Sequence, residues 1–422
     1  MKKLRWWPAL GAVVVVGMAL AACGSGGGSG DSGSIRLINA TRTHASLDLL
    51  ANSAAATSAT ATDTISAYAS VGTGSPVLQL NDAGTNTAVA TTSTTVTGGQ
   101  HYALLAYESS GAVKTAVLTE DFATPTAGTG QFRIFDAAFD AGAIDVYITD
   151  PASDIGSASP GVSFPAQTYV QSSVLLSATK GTYRIRVTPS NTKSQILLDT
   201  NVTLGDQQIV TVALTPSSGG ILLDGAILVQ QGDYAAARNT NSRVRLASAV
   251  TDGATVTASA GAVAIGTDLA PSMDNYVTVP AANPLNIAVN SASVGAPATT
   301  LQAGGDYTLL VYGPAGSATA ALIADDNRLP TTAGLTKIRL INGSTAQLTL
   351  NAAQAQIGSS IAPGSATVYD TISVTSGANV AIGVAAPGNN SVFSYIGPLA
   401  VPSVYTVFVG GSTNTGILRR DR

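Results

Sequence analysis

The chain is poor in the residues on which most enzymes depend. Its 422 residues include one cysteine, two histidines, three methionines and two tryptophans. A lone cysteine, Cys23, rules out an internal disulfide framework and a thiolate zinc centre. His44 and His101 are the only imidazole bases available, and the sequence sets no nucleophile beside either, so both read as structural. Charge is scarce too: Asp, Glu, Lys and Arg make up 10% of the residues, against about 25% in ordinary soluble proteins. With a formal net charge of −4 and no basic cluster in the body of the chain before Arg419-Arg420, no basic face is offered to phosphate, which excludes a nucleic-acid partner. Aromatic residues amount to 5%. Few are left to act as sugar-stacking platforms; Tyr107, Tyr147, Tyr312 and Tyr395, which neighbour loops, are the candidates. The longest apolar stretch, Ala9 to Leu20, is shorter than the roughly 20 residues a spanning helix needs.

What is present begins with an address. MKKLRWWPALGAVVVVGMALAAC has a basic start at Lys2, Lys3 and Arg5, an apolar centre and small residues before Cys23, the pattern of a secretory signal. Leu20-Ala21-Ala22-Cys23 resembles the lipobox of bacterial lipoproteins. That resemblance implies cleavage after residue 22, a diacylglycerol on the Cys23 thiol and a fatty acid such as palmitate on its new amino group. Each buried methylene of such chains contributes about 0.8 kcal/mol, so the attachment would be lasting. Residues 1–22 are thus read as signal and residues 23–34 as a Gly/Ser tether. The expected location is the cell envelope, lipid-anchored; Gly24 lacks the aspartate that resembles an inner-membrane retention signal, which favours the outer membrane, facing periplasm or exterior.

After the tether one phrase recurs. Arg36-Leu37-Ile38-Asn39 and Arg339-Leu340-Ile341-Asn342 are nearly identical, and Arg133-Ile134-Phe135-Asp136 and Arg245-Leu246-Ala247-Ser248 are weaker copies. The spacing of about one hundred residues is the size of a small domain, too long for a propeller blade or a solenoid coil. Other landmarks keep step: Tyr68, Tyr169, Tyr276 and Tyr369 follow the arginines, and GGQHYALLAY, GDQQIVTVAL, GGDYTLLVYG and PSVYTVFVGG come late in each copy. Copies one and three close alike, on AVLTED and ALIADD. Short runs rich in Val, Ile, Leu, Thr and Tyr, broken every 8 to 12 residues by turn formers, predict strands throughout. Leu49 to Ala61 is alanine-rich, yet it lacks an apolar stripe and reads as a loop or weak edge strand.

The fold class expected is therefore all-β: tandem immunoglobulin-like antiparallel β-sandwich modules over residues 35–123, 131–232, 242–328 and 336–422. GGQHY, ending at Tyr102, and GGDY, ending at Tyr307, resemble tyrosine corners, in which a late-strand hydroxyl turns back onto earlier backbone. If Ile35 and Leu37 face the core, Arg36 points the other way, its stem over the sheet and its charge toward a carboxylate. RLINAT, SLDLLAN, Tyr68, GGQHYALLAY and LTED together look like the repeat unit of the family called domain of unknown function 4397. The resemblance is best in copy one, continues through RIFDAAFDAGAIDVYI in copy two, and is looser in copies three and four, where Thr257 and Thr349 replace the aspartate standing at Asp48 and Asp145. It implies secreted or lipid-anchored tandem β modules, and no activity.

Three further patterns in the sequence each carry two readings. Gly28 to Gly33 matches the glycine spacing of dinucleotide folds but lacks the strand before and helix after that the chemistry requires. Asp145, Asp150 and Asp154, Glu120 with Asp121, and Asp325 with Asp326 supply hard oxygens of the kind calcium takes, and equally the acceptors that cap turns; the turn reading is favoured. Asn39-Ala40-Thr41 and Asn342-Gly343-Ser344 match glycosylation sequons, again better read as turns. The expectation is a non-enzymatic envelope protein with no cofactor and no metal, held to the membrane by Cys23 and serving a structural or protein-interaction role. The alternative is a carbohydrate-binding or calcium-dependent adhesion module. The partner, an envelope protein or a glycan, is not named by the sequence.

Overall fold

The structure is a computed structural model that describes residues 31–165, 172–388 and 390–422. The expected signal segment, Cys23 and Tyr169 lie outside the described residues. Among the described residues there are only strands and two three-residue 3-10 turns, and no helix is long and apolar enough to cross a membrane.

Among the described residues eight sheets pair into four sandwiches built to one plan. In the first, the opening strand Ser32–Asn39 lies mid-sheet, beside the late strand His101–Ser109, which in turn pairs with the closing strand Ala112–Thr119. The facing sheet runs Ala54–Ala61, Ser46–Ala51, Val77–Asp82, Ala88–Ser93. The opening strands Thr129–Asp136, Asn241–Val250 and Leu335–Asn342 take the same place beside the late strands Ile209–Pro216, Asp306–Gly313 and Ser403–Gly410. Every pairing is antiparallel except opening with late strand, which is parallel in all four modules. A parallel neighbour needs a long crossover, and here the whole facing sheet supplies it.

Alternation fills the cores. Ile35 and Leu37 meet Leu47, Leu49, Leu80 and Leu104 between the sheets of the first module, with equivalent clusters in the other three. Opening and late strands, however, are buried on both faces, because a second module covers the outer one. That is why the late strands read as continuous apolar runs rather than as alternation.

Local chemistry repeats as well. Thr97, Gln302 and Ala400 donate their N–H groups to the hydroxyls of Tyr102, Tyr307 and Tyr405, at 3.1, 3.1 and 2.9 Å, so the tyrosine corner occurs at a third site, PSVY; Val210 takes the place in module two. Asn39 and Asn342 are fully buried turn clamps: each accepts from the N–H and hydroxyl two residues on and donates to two backbone carbonyls. The sequon reading therefore gives way to the turn reading. The alanine-rich segment forms the hairpin Ser46–Ala51 to Ala54–Ala61 through a turn with positive φ at Asn52 and Ser53.

Two boundaries differ from the sequence expectation. The opening strand begins at Ser32, inside the expected tether, and Gly33 is needed there because a Cβ would land 2.5 Å from the Val96 side chain. Module two does not end at residue 232: Tyr234–Ala237 adds a strand to its closing strand Leu223–Val229. Between opening and late strands, modules one, three and four also carry a split return strand, such as Thr64–Ile65 with Ala69–Gly72; in module two it is one unbroken strand, Ser172–Thr179.

Candidate functional site

The recurring arginines are among the largest polar side chains buried in the described residues, and all four sit in two seams where modules pack sheet to sheet. Modules one and two meet through Ile38, Ala103 and Leu105 against Phe135, Ala213 and Leu228. Modules three and four meet through Ala247, Ala249 and Leu310 against Ile341 and Phe408. The period-2 alternation that sends Leu37 inward sends Arg36 outward, and outward here means into the next module.

The seam between modules three and four is reciprocal. Arg245 donates from Nε to Thr308 of its own module at 2.8 Å and from Nη1 to Asp421 of module four. Arg339 donates from Nε to Thr406 of its own module at 3.2 Å and from Nη2 to Asp325 of module three. The Thr308 and Thr406 hydroxyls in turn donate to Asp325 and Asp421, at 2.7 and 2.5 Å. Each guanidinium also lies over a tyrosine ring, Arg245 4.6 Å from Tyr276 and Arg339 4.4 Å from Tyr369. Burial opposes the charge on Asp325, yet Arg339 and Arg245, with hydrogen bonds from Tyr276 and Thr308, hold its carboxyl below the ordinary value. Burial likewise opposes the charges on both arginines, and the surrounding tyrosines and aspartates keep them above theirs.

The seam between modules one and two has the same positions and fewer charges. Arg36 donates from Nε to Glu120 of its own module at 2.9 Å and from Nη1 to the Gly232 carbonyl at 2.7 Å, under Tyr68, whose hydroxyl also donates to Glu120. Arg133 has no carboxylate. It reaches the Thr119 carbonyl at 3.2 Å, packs between Phe122 and Phe135, and its buried Nε has no partner. Gln230 stands where the strand register puts Glu120, Asp325 and Asp421 in the other modules, and it pairs with the Phe122 backbone instead. Burial pulls the Arg133 guanidinium below its ordinary value, and Glu120 only partly offsets that. The seam's rim adds a second cluster in which Asp224 of module two is held by Arg42 and Arg238, and Arg238 reaches Asp63 of module one at 2.9 Å.

The remaining sequence candidates fall elsewhere. Glu120 and Asp325 are counter-ions to arginine rather than calcium ligands; Asp121 faces His101 and Gln231, and Asp326 pairs with Lys337 at 2.7 Å. Asp145 accepts from Ser163, Ser190 and Asn191, and Asp154 from Gly156, as turn acceptors do. Tyr107 and Tyr147 are buried and offer no sugar platform; Tyr312 packs at the second seam and Tyr395 on the module-four core. His44 and Asp82 pair at 2.6 Å beside a junctional cleft of about 260 Å³. Of the hydroxyls lining it, Thr43 donates to Glu108, and Ser217 and Ser218 donate to backbone carbonyls. Asp421 escaped the sequence reading altogether, standing beside Arg419-Arg420 in a terminus read only as basic.

No curated protein matches the sequence. Among solved structures, the Bacillus anthracis TIE protein is similar over 70% of this chain and 48% of its own at 8% identity, with a TM-score of 0.14. This chain thus spans about half the length of that protein. A Bacteroides uniformis protein provisionally assigned to cell adhesion is similar over 47% of this chain and 99% of its own at 13% identity, with a TM-score of 0.20. Neither likeness bears on what this chain does. Residues 33–147 and 242–353 match a family profile, and both matches start in an odd-numbered module and cross a seam into the opening strands of the next. The unit that recurs is thus the pair of modules more than the single sandwich. With more than half its length matched, the chain belongs to the family described as Domain of unknown function (DUF4397).

Proposed function

We propose that this is a lipid-anchored protein of the bacterial cell envelope, acylated at Cys23, whose paired sandwiches form a non-catalytic structural or protein-interaction block. One observation carries the reading: the recurring polar constellation of the family repeat, arginine with carboxylate and tyrosine, is spent inside the seams, where it locks modules to one another and meets no solvent cleft. Each seam makes one block out of two small sandwiches, which suits a spacer or docking body held at a membrane surface. The signal at residues 1–22 and the lipobox supply the anchor. Replacing Cys23 with Ser should move the protein from the membrane to the soluble fraction; membrane association that persists would overturn the anchor. A saturable rise in melting temperature with calcium or cell-wall sugars would overturn the structural reading in favour of an adhesin.

A further inference from the structure

The return strand of module two is built unlike its three counterparts. Ser172–Thr179 pairs with Thr129–Asp136 over eight consecutive residues without a register shift, and no other strand pairs with its far side among the described residues. An open edge presents alternating N–H and C=O groups, which only another extended strand can satisfy in full. Most other edges are blunted; Tyr234–Ala237 is four residues long and packs against Thr64–Ile65, and Val263–Leu269 sits in a ladder with a register shift. Ala112–Thr119, Leu198–Leu204 and Thr415–Arg420 carry Lys114, Asp199 and Arg419; Ala54–Ala61, Ala88–Ser93, Ala355–Ile361 and Asn390–Pro398 sit in ladders with register shifts; Val162–Phe164 and Ala292–Val294 are three residues long; and Thr319–Asp325 ends on buried Asp325 and packs against Ser365–Ala366. Ser172–Thr179 has neither charge nor proline, and at its centre Val174 and Leu175 are 38% and 41% exposed.

We propose that this edge pairs with the same edge of a second copy of the chain, antiparallel and centred on Leu175. Ser173 to Ser177 reads Ser-Val-Leu-Leu-Ser, the same in both directions apart from Val174 in place of leucine. A two-fold axis through Leu175 therefore sets Leu175 opposite Leu175 of the second copy, and Val174 opposite Leu176, three apolar cross-strand pairs with no like charges to repel. Both faces continue across the junction. Leu175 is registered with Arg133 and so shares the face that forms the first seam, while Leu176 packs against the module-two core. The self-complementary centre favours a second copy over an unrelated strand, and the pairing is independent of the lipid anchor.

Sedimentation of the Cys23→Ser chain, free of lipid, tests it. A mass twice that of the monomer is expected at high concentration, and Leu175→Lys, which sets two lysines face to face, should raise the dissociation constant at least about tenfold with the melting temperature unchanged. Leu175→Cys in the same background should give a covalent dimer under mild oxidation, whereas Val77→Cys, at an exposed site in module one, should not. A monomer at all concentrations, a dimer indifferent to Leu175→Lys, or equal cross-linking at both sites would overturn the proposal. If Leu175→Lys lowers the melting temperature, the cross-linking pair decides.

Discussion

The two seams are the same joint made twice, once complete and once with a charge missing. Between modules three and four, two arginines face two aspartates and each bond crosses from one module to the other. Between modules one and two there is one glutamate, and it pairs with Arg36 of its own module, leaving Arg133 without a carboxylate. Around those arginines, what crosses that seam is backbone and amide, the Gly232 carbonyl to Arg36, the Thr119 carbonyl to Arg133 and Gln231 to Glu120, while its crossing ion pairs, Arg42 with Asp224 and Arg238 with Asp63, lie at the rim. A buried ion pair is weak evidence for net stability, but a buried charge with its partner removed is costly. The two halves of the molecule should therefore answer the same substitution differently.

The largest effect is expected where the joint is complete. Arg339→Met leaves Asp325 and Asp421 with one arginine between them and should cost about 3–5 kcal/mol in denaturant unfolding, whereas Arg133→Met removes a cation that has no carboxylate and should be neutral within about 1 kcal/mol. Equal losses at the two sites would erase the distinction between the seams. A second test concerns spacing. Gly343 faces module three so closely that a Cβ would land 2.2 Å from that of Ala249, while module one carries Ala40 at the same step. Gly343→Ala should destabilise by about 1–3 kcal/mol through overpacking, read as a lower melting temperature. A neutral result would mean that the second seam is no tighter than the first.

The smallest effect separates the halves by pH. In module two Asp136 holds the place of Asn39 and Asn342, and burial, with Asp140 nearby, pushes its carboxyl up to about 6 despite the Ala138 N–H. A carboxyl raised on folding contributes fully below its unfolded value of about 4 and loses that contribution as pH rises through about 6. Asp325, held low, contributes above about 4 and loses that contribution as pH falls further. Acid should thus weaken the second seam while relieving module two. Asp136→Asn should flatten the dependence between pH 4 and 6 and gain about 1–2 kcal/mol at neutral pH. An unchanged pH profile in that variant would show that Asp136 is not the group responsible.

Much of the architecture was legible because its signals are local. Alternation placed Ile35 and Leu37 in the core, the GGQHY and GGDY turns marked tyrosine corners, and the recurring arginine marked the start of each module. The joints were not legible, since Arg245 and Asp421 lie 176 residues apart and no periodicity links them. One signal did point there. In a chain with 10% charged residues, four arginines held in step on the non-core face of a strand each require a partner, and an acid recurs after the late strand at Glu120, Asp325 and Asp421. Taken alone, the acids in LTED and ADD read better as turn acceptors than as calcium ligands; beside the arginines, Glu120 and Asp325 are counter-ions. The parallel pairing of opening with late strand left no trace in the sequence, because the same alternation serves either direction.

The buried clamps at Asn39 and Asn342 set a condition on how the chain can be made. Both lie in sequons, and both spend every amide hydrogen bond on closing the turn beside the opening strand. A secretory route that attaches sugars to such sequons during translocation would meet the chain before it folds, and a glycan on either asparagine could not be accommodated at a fully buried position. Production in a glycosylating host should then yield misfolded first and fourth modules, cured by removing Thr41 and Ser344 as acceptor-site hydroxyls only at the cost of the bonds they make to the clamp.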